Sequence, residues 1–495
     1  MPLLHPLAER FNSLPLILCG PIVRRVEPEI VSVWVALKAE RKIELELYTG
    51  YCNPSGPSFP EKTVAFKSAK TSTIKLGEHL HIALVTIETV GLFTHGGIFS
   101  YDLLFYENED SFENLVSLGL LDEPALLGFK KGQLPSFVVA PEKMEDLRIA
   151  HGSCRKPHGR GRDGLAVLAK IMAPDFIEPD RVLEPTARPH YFFHTGDQIY
   201  ADDCSDFLIQ HYTDTGNFLL QKVEQMPFPK NPEHNYSKQG QQDTDFVWMQ
   251  ITSAALPPGR RATNFYSGFT GSQSNHLYSF AEFAAAYLFQ WCDVLWPEEL
   301  PETEEMYFDR LNDNSQTRTY LFPVIKEGSL DEDGNPVTDW QVPANWDALD
   351  TQKRRTALNT NEGAKKARDK FKESRQKKLA TDPPREKELV TDFKKDLKAV
   401  RRVLANTPSI MSFDDHDITD DWYLNGGWSK QALGTRLGEA IIRNGLLAFA
   451  FFQGWGNDPK GWADESAGKN DRNTLLKNIP AFIQSFAPLQ ASGSL

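Results

Sequence analysis

Apolar and polar residues alternate along several short segments in the N-terminal part of the chain. The alternation runs through residues 31–37, 42–47 and 80–84, and a further apolar run covers residues 98–106. Clusters of Gly, Pro, Ser and Asn separate these segments, for example at residues 53–60. Because side chains alternate between the two faces of a strand, the pattern predicts an antiparallel β-sandwich whose strands each bury one face. We see no cluster of acids and bases there and expect a structural module.

The pattern changes after residues 112–143, a passage that we interpret as helix or loop. Short apolar strands now end in polar turns that contain glycine, and segments with helical spacing follow. Residues 278–295 and 431–452 carry apolar side chains three and four positions apart, which predicts two long helices. Strands followed by helices are typical of an α/β domain. We therefore predict a β-sandwich domain over residues 1–140 and an α/β domain over residues 141–495.

Two segments interrupt the predicted α/β domain. Residues 225–261 are polar and without periodicity, which indicates a surface excursion. Residues 353–402 contain 18 basic and 8 acidic side chains and few helix breakers, which predicts a pair of solvated helices. A basic face of this kind suits a nucleic acid or another polyanion. The mixed signs of the charges favour a solvated helical face instead, so nucleic acid is not the favoured partner.

Composition narrows the class of protein further. The chain has 495 residues, a formal charge of −13, 40% hydrophobic and 11% aromatic residues, which excludes a disordered protein. The longest apolar run, residues 445–452, is far too short to cross a bilayer. The N-terminus resembles no signal peptide. Five widely spaced cysteines do not suit a disulfide framework, so we expect a cytoplasmic protein.

Candidate chemistry lies in three segments where an apolar strand runs into a group of metal-type ligands. They are residues 147–155, 191–203 and 410–422. Ligands of α/β proteins bind at the carboxyl ends of the strands, so these three segments can converge on one site although they are distant in sequence. Together they supply Cys, Asp, Tyr and His side chains.

This set of side chains restricts the ion. Carboxylates and a phenolate are hard oxygen donors, suited to calcium, magnesium, manganese or ferric iron, while the thiolate of Cys154 favours a transition metal. Paired Cys or His ligands of a structural zinc site are missing. We expect two or more ions, with Asp197 able to bridge two of them. Each candidate also has a structural alternative when taken singly. Cys154 could be a small buried residue, and Tyr200 could be an aromatic residue of the core. Residues 414–417 could form a solvated acidic loop.

In combination the three segments resemble the PhoD-like alkaline phosphatases, a branch of the calcineurin-like metallophosphatases. His-Gly-Ser-Cys154-Arg resembles the Ser-Cys block of that family, and Gly-Asp197-Gln-Ile-Tyr200-Ala-Asp resembles its Gly-Asp-x-x-Tyr block. Phe-Asp414-Asp415-His416-Asp resembles its Asp-Asp-His block. The resemblance covers most of the chain. It implies a β-sandwich followed by a metallophosphatase α/β/β/α sandwich, and hydrolysis of phosphate mono- or diesters by metal-activated hydroxide.

The resemblance also implies roles for individual residues. Cys154, Asp197 and Tyr200 would hold an iron-like ion, expected to be ferric iron. Asp197 would be shared with a second site, expected to hold calcium. Asp415 occupies the place of an asparagine ligand in related enzymes. His416 would stabilise the phosphoryl oxygens or protonate the leaving group.

Two more residues complete the candidate set. Asp414 belongs to the same acidic block as Asp415 and is a further candidate metal ligand. Arg155 is a candidate phosphate contact because of its charge, although an ordinary surface arginine fits the position equally well.

One block of the family pattern is not found in the sequence. The pattern ends with a strand and Gly-Asp-x-His, yet His416 is the last histidine and no Gly-Asp pair follows it. Three explanations fit: a piece of a longer enzyme, a second polypeptide that supplies the rest, or a diverged protein that no longer catalyses. We favour the first, and expect an incomplete catalytic domain. The alternative function is a non-catalytic module that binds metal or docks a partner.

Overall fold

The computed structural model describes residues 7–54, 56, 63–89, 93–172, 188–229, 246–251, 269, 276–300, 362–420, 422, 426–466 and 471–488. The chain divides into two compact units. The first comprises Met1–Leu3, Pro257–Gly259 and Leu300–Glu388. The second comprises Leu4–Leu256, Arg260–Glu299 and Leu389–Leu495, and it contains all three candidate site segments.

An antiparallel β-sandwich forms the N-terminal part of the second unit. One sheet has the strand order β1-β2-β7-β6, and the other has the order β10-β8-β3-β4, with β5 paired to β3 and β9 to β8. The strands are β1 (Ile17–Glu27), β2 (Ile30–Leu37), β3 (Lys42–Thr49), β4 (Phe66–Lys67), β5 (Thr71–Ser72), β6 (Ile74–Gly77), β7 (Leu80–Glu88), β8 (Ile98–Tyr106), β9 (Phe112–Glu113) and β10 (Ser136–Val138).

The core between the two sheets follows the alternation in the sequence. Every second residue of β2, β3 and β8 points inward, and all of these side chains are buried: Val31, Val33, Val35, Ile43, Leu45, Leu47, Tyr101, Leu103 and Phe105. Fully burying one such aliphatic side chain stabilises the fold by about 1.5–3 kcal/mol. The predicted sandwich is therefore confirmed, and its core carries much of the stability of this region.

The outer face of β2 is buried as well, so the prediction of one buried face per strand is wrong for this sheet. Trp34 lies on that outer face, and its indole Nε1 donates to the carbonyl of Phe451 at 3.2 Å. The ring also packs edge-on against Trp291. The alternation could not show this, because Ser32, Trp34 and Ala36 are small or amphipathic rather than charged.

Arg24 joins the sandwich to the α/β part. The side chain is fully buried, and its guanidinium donates to the carbonyls of Ser409 at 3.1 Å and Gln453 at 2.7 Å. Burial lowers the pKa of Arg24 to about 9. A buried cation is tolerated only when its donors are satisfied, so these carbonyls fix how the two parts pack.

A parallel sheet organises the α/β part. Its strands are β11 (Ile149–Gly152), β12 (Tyr191–His194) and β16 (Ser409–Met411), in the order β11-β12-β16. Parallel strands end at one edge, so the three segments singled out in the sequence leave the sheet side by side. Two small antiparallel pairs complete the strands: β13 (Lys222–Val223) with β17 (Ala487–Pro488), and β14 (Gln225–Pro229) with β15 (Phe246–Gln250).

Helices make up the other regular elements that the structure describes, and the mixed α/β fold class is confirmed. The α-helices are Leu7–Arg10, Gly164–Met172, Asp206–Leu220, Phe280–Trp291, Glu362–Asn406, Gly426–Ala432, Arg436–Phe449, Trp455–Asn457, Pro459–Ala463 and Asp471–Gln484. Short 3-10 turns are Phe11–Ser13, Met144–Asp146 and Asp415–Asp417, and a π-helical turn spans Ala450–Gly454. Within the described residues, none of these helices is both long and apolar enough to span a bilayer.

Three local expectations need correction. The passage 112–143 contains strands β9 and β10, of which β10 pairs with β8 inside the sandwich. Residues 225–261 begin with the β14–β15 hairpin, and 230–245 and 252–261 lie outside the described residues. Residues 362–406 form one helix rather than a pair, and 353–361 lie outside the described residues.

The C-terminal part of that long helix is not solvated on all sides. Apolar residues recur at helical spacing among its charges, and they are buried: Val390, Phe393, Leu397, Val400 and Leu404. This spacing places them on one face of the helix. A net count of charges misses such a stripe, because it ignores position along the sequence.

Candidate metal centre

The loops that follow the three parallel strands are bonded to one another through their backbones. The Arg155 N–H donates to the carbonyl of Asp197 at 2.9 Å, and the Ser412 N–H donates to the carbonyl of His194 at 2.8 Å. The Ala201 N–H donates to the carbonyl of His416 at 2.9 Å. The structure thus brings together segments that lie more than two hundred residues apart in the chain.

The loops approach closely because of unusual backbone angles at the strand ends. Gly196 has φ 105°, and Asp197 and Cys154 have φ 51° and φ 62°. A Cβ atom at Gly196 would lie 2.2 Å from the Cβ of Asp414, so only glycine fits there. A residue other than glycine in the left-handed region costs about 1–2 kcal/mol of conformational free energy. Such local cost is typical of functional sites.

Asp197, Asp415 and His416 form the central cluster. One potential ligand atom from each lies within 4.8 Å of the other two. The thiol of Cys154 donates to Asp197 Oδ2 at 3.2 Å. Asp197 is only 4% exposed, and its Oδ1 has no hydrogen-bond partner. Buried oxygens almost always have a hydrogen-bond partner, so we expect Oδ1 of Asp197 to meet a hydrogen-bond donor or a cation.

The charges around Asp197 also favour a cation beside its carboxylate. Burial raises the pKa of Asp197, and the negative charges of Asp414 and Asp415 raise it further, while the Cys154 thiol and the His416 charge lower it. Neighbouring carboxylates repel one another unless a positive charge lies between them. A bound cation would relieve this repulsion.

His416 is held in place by a buried carboxylate. Its Nδ1 donates to Asp202, whose two oxygens lie 3.0 Å away. Burial disfavours the charged ring, yet the hydrogen bond and charge of Asp202, with the charges of Asp197 and Asp415, raise the pKa of His416 to about 9. Since Asp202 occupies Nδ1, only Nε2 is left to act on a ligand.

Tyr200 borders the cluster. Its ring stacks on His416 with a centroid distance of 4.6 Å, and its hydroxyl is hydrogen-bonded with Cys154. Burial raises the pKa of Tyr200, and the neighbouring thiol and the charge of Asp197 raise it further. The phenol is therefore neutral without a cation beside it.

Asp414 takes a different position from Asp415. It is exposed, and its Oδ1 accepts the Asp415 N–H at 2.9 Å, which caps the turn Asp415–Asp417. Among the described residues, the cluster of potential ligand atoms comprises Asp197, Asp415 and His416 but not Asp414. In this structure Asp414 shapes the loop that carries the cluster.

Arg155 does not point at the cluster. Its guanidinium pairs with Asp163, with Nη2 2.6 Å from Oδ2, and lies over the ring of Phe393. The side chain is only 8% exposed, so the surface arginine considered from the sequence is wrong. The prediction of a phosphate contact stays open, because Nη1 has no partner.

Two further acids contribute to the site although the sequence reasoning did not select them. Asp202 orients His416, and its Oδ2 also accepts the Asp420 N–H at 2.6 Å. Asp417 is fully buried and accepts N–H groups from the loop after β12, including Gln198 at 3.2 Å. Both stand inside the quoted motifs, but the motifs alone do not show which carboxylates face the ligand and which face the backbone.

Comparison with known proteins includes a weak structural likeness. No protein-family model and no curated protein matches the chain. A solved structure titled "Structure of PhoD" is similar to it with a TM-score of 0.31 and 9% sequence identity, over 87% of this chain and 46% of that chain. The chain thus spans less than half the length of that protein. A likeness of this size does not assign the chain to the family.

Proposed function

We propose that this chain is a metal-dependent hydrolase of phosphate mono- or diesters, or the ligand-bearing part of one. The observation that supports the proposal is the buried Asp197, whose Oδ1 has no partner while Asp415, His416 and Cys154 lie beside it. A satisfied structural carboxylate would accept N–H groups instead. The side-chain atoms beside Asp197 are better suited to binding a cation than to forming hydrogen bonds with one another.

Asp197, Asp415 and Cys154 would hold the ion, with Tyr200 at its edge. Carboxylate oxygens favour calcium, magnesium, manganese or ferric iron, and the thiolate favours a transition metal such as iron. A bound ion of this kind polarises a phosphoryl oxygen and lowers the pKa of a coordinated water. The identity of the ion belongs to the proposal.

His416 would act on the substrate rather than on the ion. Asp202 keeps the ring charged and aims it, and a charged imidazole attracts an anionic phosphoryl group. Its Nε2 proton is available for a phosphoryl oxygen or for the leaving group. Stacking on Tyr200 restricts the ring to one plane, which favours transfer in a fixed direction.

The test is hydrolysis of bis-nitrophenyl phosphate with added calcium or iron. We expect metal-dependent turnover that falls at least a hundredfold in Asp197→Asn, which keeps the shape of the side chain and loses its charge. Asp146→Asn is the matched control, because Asp146 is exposed and precedes β11 at the other end of the strand. Turnover that is equal in native protein and Asp197→Asn would refute the proposal.

A second candidate function is a non-catalytic metal-binding module. It is favoured by the number of candidate ligands, since Asp197, Asp415 and Cys154, among the described residues, can hold one ion but are few for the predicted two. Elemental analysis distinguishes the two candidates: stoichiometric metal without turnover supports the module. Docking of a partner through residues 353–402 remains a further proposal, which deletion of that segment would test.

A further inference from the structure

A cleft adjoins the metal cluster on the side of Cys154. Its volume is about 270 Å³, and it is lined by residues 151–157 and 159–165 together with Phe192 and Phe393. This size is near the lower end of the roughly 300–1,000 Å³ of small-molecule sites. Cys154 lines the cleft, and its thiol donates to Asp197 of the cluster, so one ligand can reach both.

The wall of this cleft is basic although the protein is acidic overall. Arg155, Lys156, Arg160 and Arg162 line it, and Asp163 is the only acidic residue in the lining. The chain as a whole has a formal charge of −13. A cleft with one sign of charge attracts ligands of the opposite sign.

Ion pairs fix two of these cations in the wall. Arg162 Nε donates to Asp396 Oδ2 at 2.8 Å, and Lys156 pairs with Asp203. Neither Asp396 nor Asp203 lines the cleft. The acids fix these two side chains from outside the lining and neutralise their charge, so the contacts left for an anion come from the other two cations of the wall.

Two other cations keep donors for a ligand. Arg155 gives Nε and Nη2 to Asp163 and has a buried Nη1 with no partner. Arg160 is exposed. A buried guanidinium held on one edge and unsatisfied on the other suits a bidentate or bridging contact with an anion.

We propose that this cleft binds a second phosphate group of the substrate, next to the phosphoester at the metal cluster. The inference rests on the proposed function and narrows its substrate class to phosphoesters that carry a further phosphate. The planar donors of Arg155 and Arg160 match phosphate oxygens, and the left-handed Cys154 turns the chain from the cluster into the cleft.

Binding of pyrophosphate to metal-free protein tests the inference directly. The full chain is stripped with a chelator, dialysed free of it, and titrated by calorimetry. We expect binding that weakens about tenfold in Arg160→Gln, the loss typical of one hydrogen bond to a charged group. Arg160→Lys should lose less, because it keeps the charge.

Arg148→Gln is the matched control, since Arg148 is exposed and lies just before β11, at the end opposite to the cleft. Malonate in place of pyrophosphate separates phosphate recognition from a general attraction of anions. No pyrophosphate binding, equal binding in Arg160→Gln, or equal binding of malonate would overturn the inference. Because the titration uses no metal, a failure of hydrolysis leaves this result unaffected.

Discussion

Two buried aspartates show how the sandwich differs from the strand-end cluster. In the sandwich, Asp102 accepts the N–H groups of Leu103 at 2.8 Å and Leu115 at 3.0 Å, and the amide of Asn114 at 2.9 Å. In the cluster, Asp197 accepts one thiol, and its second oxygen accepts nothing. Both carboxyls are almost fully buried.

The difference distinguishes a carboxylate that is buried as part of the fold from one that is buried where a ligand can bind. Asp102 ends a polar network in which donors reach both of its oxygens, which offsets part of its cost of burial, although burial still raises its pKa to about 7. For Asp197, hydrogen bonds offset less of the free-energy cost of burial, and the charges of Asp414 and Asp415 add repulsion. We expect such a region to be less stable on its own and to be stabilised by a bound cation. The following predictions test that contrast.

The largest difference is expected between two glycines with positive φ. Gly196 in the cluster has φ 105°, and an added Cβ would lie 2.2 Å from Asp414; Gly119 in the sandwich has φ 68° and open space around it. Gly196→Ala should lower the free energy of unfolding by about 3–5 kcal/mol, since strain and overpacking add. Gly119→Ala should cost about 1 kcal/mol from strain alone.

Urea unfolding followed by tryptophan fluorescence measures both variants. Equal losses would mean that the loops at Gly196 can separate without cost, and the close approach of Asp414 would then not define the site.

Removal of the two carboxylates should give the next largest difference. Asp102→Ala leaves two buried N–H groups without an acceptor, which costs about 3 kcal/mol. In metal-free protein, Asp197→Ala should change the free energy of unfolding by less than about 1 kcal/mol, because a repelled charge is lost together with one weak bond. A loss at Asp197 as large as that at Asp102 would identify Asp197 as a structural residue.

Added calcium should stabilise the protein through the cluster and not through the sandwich. At a concentration a hundred times its dissociation constant, an ion that binds only folded protein stabilises it by about 2.7 kcal/mol. We expect this gain in native protein and in Asp102→Ala, and no gain in Asp197→Ala. Thermal unfolding with and without calcium measures it, and manganese or iron in place of calcium reports the preference of the site.

The two regions also differ in how far the sequence predicts them. Alternation predicts the sandwich strands because burial there repeats with period two, as at Val31, Val33 and Val35. It fails where a strand is buried on both faces, because Trp34 suits either environment. Strand β10 is also missed, since three residues are too few to show a period.

At the cluster, the sequence predicts which segments meet but not how each side chain is used. Asp414 and Asp415 are adjacent and chemically identical, yet one caps a turn and the other joins the cluster. Arg155 pairs with Asp163, eight positions away, across a turn that no periodicity describes. Side-chain direction in loops depends on individual φ and ψ angles, such as those of Cys154 and Asp197.

Per pH unit, the smallest expected effects are the slopes of stability against pH, which fall in different windows for the two regions. Burial is the main cause that raises the pKa of Asp102 to about 7. For His416, burial opposes the charged form, but the bond to Asp202 prevails and raises the pKa to about 9. A raised folded pKa gives stability below the ordinary pKa and loses it as pH rises through the folded value.

Asp102 should therefore contribute a falling slope from about pH 4 to 7, at most about 1.4 kcal/mol per pH unit. His416 should contribute one from about pH 6.5 to 9, and a smaller one because solvent reaches its ring. In metal-free protein, Asp102→Ala should flatten the lower window and leave the upper one unchanged, whereas His416→Gln should remove the upper one. Asp417, whose pKa burial also raises to about 7, is common to both variants and cancels when each is compared with native protein. A change in the upper window on Asp102→Ala would show that the two regions titrate as one.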